Sequence, residues 1–183
     1  IGLIVVSVAL SEGSANDWLP LLIVDSYGVA EKYGSLVFVA FAATMTVGRF
    51  FGTGIVDRFG PVRVMQASGL IGGLGILAMV VSSNLYVASI AVIMWAAGAA
   101  LGFPVAMSAG AANGPNTSAR ISVLATIGYS AFLVGPPLLG FVGEHVGLRS
   151  AMLIVLVLQL FPLLFASNLA APAACRSIQM TPT

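Results

Sequence analysis

Residues Arg49 to Arg63 read RFFGTGIVDRFGPVR. An apolar run leads into Asp57, Arg58, Phe59, Gly60 and Pro61, and a second apolar run begins at Val64. Charges beside a Gly-Pro turn, between two runs of membrane length, describe a short loop at a membrane surface. Gly60 reaches backbone angles that other residues resist, and Pro61 cannot extend a preceding helix, so the turn is sharp. Arg58 and Arg63 put the loop on the cytoplasmic side, because cytoplasmic loops carry an excess of Lys and Arg.

Composition supports a membrane setting. Hydrophobic residues make up 59% of the 183 and charged residues 7%, with a mean hydropathy of +1.07. A soluble domain carries about 25% charge; a chain this poor in charge must present its surface to lipid. The net charge of +1 builds no basic patch, so no nucleic-acid partner is expected. Cys175 is the single cysteine, which excludes a disulfide within the chain and a thiolate metal cluster. No metal or other cofactor is expected. Ile1 opens inside an apolar run without the charged n-region of a signal peptide, and the chain is expected to be a fragment of a longer protein.

Six segments approach the roughly 20 apolar residues that a transmembrane helix needs: 1–24, 33–56, 64–81, 85–107, 121–142 and 150–166, followed by a tail over 167–183. The expected fold class is all-α integral membrane, a bundle of six transmembrane helices. Strict alternation puts the motif loop, the polar loop 108–120 and the tail on one side, with Arg58, Arg63, Arg120 and Arg176. The opposite side holds Lys32 and Arg149 beside Asp25, Glu31, Glu144 and His145. Gly69 and Gly73, and again Gly98 and Gly102, form G-x-x-x-G pairs that let helix backbones approach in lipid. Gly135-Pro136-Pro137 is expected to kink the fifth span.

The loop resembles the motif G-x-L-A-D-R-x-G-R-[RK] of the major facilitator superfamily. Asp57, Arg58 and Gly60 match it; Thr53 stands in place of its first glycine, and Pro61 in place of its first basic residue. The resemblance implies the C-terminal half of a twelve-helix transporter, helices seven to twelve, paired with an N-terminal six-helix half that this chain does not contain. It implies a bacterial plasma-membrane permease that moves a small-molecule solute by alternating access, coupled to an ion gradient with protons among the candidates. Asp57, Arg58, Gly60 and Arg63 would then form a conformational gating motif. Asp57 would contact a helix of the opposite half, and Arg49 would snorkel to the surface or pair between helices in support of the loop. The alternative is a self-contained six-helix channel-like or membrane scaffold protein without transport chemistry.

The first span carries Ser11 to Asp17, SEGSAND. An acid at a helix centre costs about 2.5–3.5 kcal/mol on insertion scales, so Glu12 and Asp17 need a wet cavity, partners, protons or the interface. Glu12 and Asn16 share a helix face, whereas Asp17 lies about 140° round from Glu12. A helix unwound around Gly13 would bring all three together; otherwise Asp17 and Trp18 anchor the span at the interface. Glu12 is the favoured residue of the solute or proton path, with Asn16, Asp17 and, in the fifth span, Tyr129 beside it. Tyr129 and Gln159 could equally serve to bond neighbouring helices. No G-x-S-x-G, phosphate loop or H-E-x-x-H is present, and no second His or Cys gives His145 a zinc spacing. The chain is therefore not expected to be an enzyme.

Overall fold

Gly60 takes φ 81°, and Pro61 opens the next helix at its first position. Proline there sacrifices only an N–H that the helix could not have used. One residue thus reverses the chain between α2 (Glu31–Phe59) and α3 (Pro61–Val81). Gly147, at φ 84°, does the same between α6 (Thr117–Val146) and α7 (Leu148–Phe165). In this computed structural model, which describes residues 1–112 and 116–169, α1 (Gly2–Tyr27) precedes this pair of turns. The fourth span is built from α4 (Leu85–Ala99) and α5 (Gly102–Ala112), and a short 3₁₀ turn, Ala166–Leu169, follows α7. The described residues form six membrane-length antiparallel rods and no strand, which is the expected fold class. Five rods are long and apolar enough to cross a bilayer; α1 falls short because its polar stretch dilutes it.

The helices depart from the expected reading in two places. The fourth rod reaches Ala112 and α6 starts at Thr117, so most of the loop expected over 108–120 is helical. Ala109, Ala111 and Ala112 are strong helix formers, and Arg120 sits in the first turn of α6, where its Nε donates to the Gly110 carbonyl at 2.9 Å. The helix α1 runs unbroken through Gly13, so the unwinding that would gather Glu12, Asn16 and Asp17 does not occur. Of the expected tail, residues 170–183, with Cys175 and Arg176, lie outside the described residues.

Packing centres on α3, which lies between α4 and α7. Gly98 of α4 sits directly on Gly72, where a Cβ would come within 2.6 Å of the Gly72 Cα and the Ser68 carbonyl. One at Gly75 would meet the Ala91 carbonyl at 2.6 Å. On the other face, a Cβ at Gly69 would reach the Leu163 backbone of α7 at 2.7 Å. The two G-x-x-x-G pairs therefore serve different seams: Gly69 and Gly73 face α7, Gly98 faces α3, and Gly102 faces Val8 of α1. Two apolar clusters fill the interior. One, around Ile4, Met65, Leu124 and Leu169, lies toward the motif-loop end. The other, around Leu19, Phe41, Trp95 and Met152, lies toward the opposite end. Trp95 packs edge-on against Phe41, and its indole N–H donates to Ser11 Oγ at 2.9 Å.

At the end opposite the motif loop, Arg149 closes the bundle. Its Nε donates to the Val80 carbonyl at 2.7 Å and its Nη2 to the Ser82 carbonyl, and its guanidinium lies over the Tyr27 ring. The Tyr27 hydroxyl donates to the Met79 carbonyl at 2.8 Å. A cation thus satisfies the last carbonyls of α3 and opposes their partial negative charge. Substituting Gly98 tests the α3–α4 seam. Gly98→Ala should destabilise the bundle by about 1–3 kcal/mol, whereas Gly54→Ala, with nothing within 4 Å, should be neutral or mildly stabilising. Detergent-titrated unfolding of both variants measures the difference, and equal midpoints would contradict the packing.

Candidate functional site

Pro104 organises the centre of the bundle. Lacking an N–H, it cannot bond the carbonyl four residues back, that of Ala100, and the fourth rod breaks into α4 and α5 at Ala100–Leu101. Arg49 of α2 takes up the released carbonyl through Nε, at 3.4 Å. Its Nη2 donates to Glu12 Oε1 of α1 at 2.7 Å. One guanidinium therefore joins three rods midway along the bundle. Among the described residues this is the one salt bridge. The Arg49 side chain stays 43% exposed and that of Glu12 17%, so the pair faces open space rather than the packed interior.

That space is a cavity of about 350 Å³. Glu12 and Arg49 form its polar wall, and Phe103, Tyr129 and Phe132 supply aromatic surface. Glycines bring the walls together: a Cβ at Gly13 of α1 would meet the Phe132 ring at 3.5 Å, and one at Gly128 would meet the Phe103 ring at 2.8 Å. Tyr129 is exposed on this side. A second cavity of about 280 Å³ adjoins the first through Arg49 and Pro104 and leads to Thr53 and Asp57. Arg49, Thr53 and Asp57 are four residues apart and form one ridge of α2. A polar track thus runs from Glu12 to the motif loop.

The other sequence-marked residues fall elsewhere. Asn16 and Asp17 are exposed on α1 and do not line the Glu12 cavity. Arg58 stacks on Phe59 at 5.5 Å, and Arg63 is exposed at the start of α3. Asp57 is exposed and makes no ion pair among the described residues. Gln159 is buried at 1% exposure between α7 and α3, its Nε2 3.4 Å from the Ser68 carbonyl and its Oε1 without a partner among the described residues. Sequence reasoning does not reach Phe103, Pro104 and Phe132 as site residues. The usable signal is the proline four residues beyond Ala100, inside an apolar run.

Six antiparallel membrane-length rods with a charged cleft opening to one side define a polytopic integral membrane bundle. The sequence profile of the Major Facilitator Superfamily matches residues 1–173, and the chain belongs to that superfamily. It is 30% identical over 156 residues to an uncharacterized transporter of Sinorhizobium fredii, covering 85% of this chain and 41% of that protein. It is 28% identical to membrane protein MosC of Rhizobium meliloti, covering 80% and 36%, and 29% identical to an uncharacterized MFS-type transporter of Yersinia pestis, covering 79% and 38%. The chain spans about two fifths of the length of these relatives. Its fold matches the crystal structure of the superfamily transporter FucP in the outward conformation with a TM-score of 0.84 at 21% identity, over 93% of this chain and 42% of that one.

The geometry makes the Glu12–Arg49 pair measurable. Glu12→Gln and Arg49→Gln, made singly and together, should show a coupling of about 1 kcal/mol in a double-mutant unfolding cycle. Additive effects would mean that the pair does not form in the membrane.

Proposed function

We propose that this chain forms the C-terminal six-helix half of a secondary transporter of the bacterial inner membrane. It works with an N-terminal six-helix half to carry a small solute by alternating access, and the cleft between Glu12, Arg49 and Tyr129 forms this chain's side of the solute path. The observation that carries the reading is the ion pair between apolar, membrane-length helices, open to a cavity. Ionisable groups inside a membrane bundle mark ion and substrate pathways. The family and the fold support the architecture, and FucP, whose fold this chain shares, is a fucose:proton symporter, which is consistent with proton coupling.

The pair suggests how coupling would operate. With Glu12 ionised, its carboxylate holds Arg49 across the cleft. A proton on Glu12 removes the charge and weakens that hold, leaving Arg49 free to donate to a hydroxyl oxygen or anionic group of the solute. Because Arg49 also bonds the Ala100 carbonyl at the α4–α5 break, its release would loosen the one point where the fourth rod is discontinuous. Asp57, at the other end of the Arg49–Thr53–Asp57 ridge, would meet the missing half. There it would bias the balance between inward- and outward-open states, with Arg58, Gly60 and Arg63 shaping the loop.

In the full-length transporter, Glu12→Gln should abolish accumulation driven by a pH gradient while sparing exchange of solute across the membrane. The glutamine keeps the shape and an acceptor but cannot titrate. Accumulation at the wild-type level would remove Glu12 from the coupling path, and loss of exchange as well would make it a solute ligand. Asp57→Asn should lower transport several-fold at unchanged expression, because a shift of about 1 kcal/mol in a two-state balance alters the working population about fivefold. Normal transport by well-expressed Asp57→Asn protein would exclude a gating role.

A further inference from the structure

The two faces of α2 differ. Arg49, Thr53 and Asp57 look into the cleft, whereas Ile55 and Phe59 form the lip of a groove of about 410 Å³ on the far side, toward α3. The other lip is the α3 ridge Arg63, Ala67 and Ile71, and Ala97 of α4 lies in the floor. The groove exists because Ala67 is small between two larger neighbours on its ridge. Beyond it, the exposed face of α3 continues through Leu70, Leu74, Leu77 and Val81, a wholly apolar surface suited to lipid. At the motif-loop end the groove opens under Arg63, and Arg58 lies over the ring of Phe59 on the opposite lip. Among the described residues neither arginine has a carboxylate partner.

We propose that this groove is a binding site for an anionic phospholipid, with one acyl chain between Phe59 and Ala67 and the phosphate held by Arg63 and Arg58. The dimensions agree: Arg63 to Ile71 rises about 12 Å along the helix, against about 15 Å of hydrocarbon in one leaflet. The chemistry agrees as well. Guanidinium groups bind phosphate oxygens through paired N–H donors, and basic clefts between helices at the cytoplasmic surface recognise anionic headgroups. A groove that opens to the bilayer is filled by lipid tails in any case; the two arginines select which headgroup sits above them. The assignment does not depend on transport through the cleft, since the two sites lie on opposite faces of α2.

Native mass spectrometry of the purified full-length protein tests it, using phosphatidylglycerol and phosphatidylcholine of identical chains as probes. The wild type should retain phosphatidylglycerol in preference to phosphatidylcholine. Arg58→Gln and Arg63→Gln should each lower phosphatidylglycerol retention about fivefold and leave phosphatidylcholine unchanged. Ala67→Leu, which fills the groove and keeps both charges, should lower retention of both lipids. Equal retention of the two lipids by the wild type, unchanged headgroup preference in the arginine variants, or unchanged retention in Ala67→Leu would each overturn the proposal.

Discussion

No charge and no backbone carbonyl can be left unpaired in hydrocarbon without a cost of several kcal/mol, and at Arg49 both needs are met together. Pro104 removes the N–H that Ala100 would have bonded, and Arg49 takes that carbonyl. Glu12 in turn supplies the anion that Arg49 needs. Remove Arg49 and the Ala100 carbonyl and the Glu12 carboxylate lose their partner together. This makes the arrangement cooperative, and it explains how an arginine, a glutamate and a broken helix coexist in a chain that is only 7% charged.

The cleft exists because the remainder of the bundle packs without space. Backbone contact along Gly72, Gly75 and Gly98 sets the separation of α3 and α4, and Gly69 sets that of α3 and α7. Since lipid tails are as apolar as the side chains, burial in itself does little to hold these helices together; dispersion at close approach and interhelical hydrogen bonds must do so. Trp95 shows both at once, filling the core against Phe41 while its N–H bonds Ser11 on α1.

Much of the fold is legible in the sequence, and little of the site. Gly60-Pro61 with flanking arginines marks the tightest turn, and six long apolar runs mark the rods, because membrane thickness fixes length. The residues of the G-x-x-x-G pairs are recognisable, but Gly72 and Gly75, which meet α4, do not fall in that pattern. Glu12 and Arg49 each stand out as an ionisable group at membrane depth. Their pairing is not visible, since they are 37 residues apart and the rotation of each helix is fixed by glycine contacts spread over several partners. Asn16 illustrates the limit: helical spacing aligns it with Glu12, yet a full turn along α1 carries it beyond the cavity.

The distribution of ties along the bundle also bears on how it could move. At the end away from the motif loop, Arg149 and Tyr27 bind three carbonyls at the close of α3 and link α1, α3 and α7. None of these bonds requires a carboxylate, so a change in the protonation of acids would leave them intact. Midway along the bundle, by contrast, the charged link between α1, α2 and the break in the fourth rod is a single carboxylate–guanidinium contact, beside a helix that already lacks a backbone bond. An event that neutralises Glu12 therefore acts on the least continuous part of the bundle and leaves the most continuous part unchanged. Local rearrangement on such an event would centre on the α4–α5 break and the ridge of α2, away from the glycine seams that hold α3 against α4 and α7.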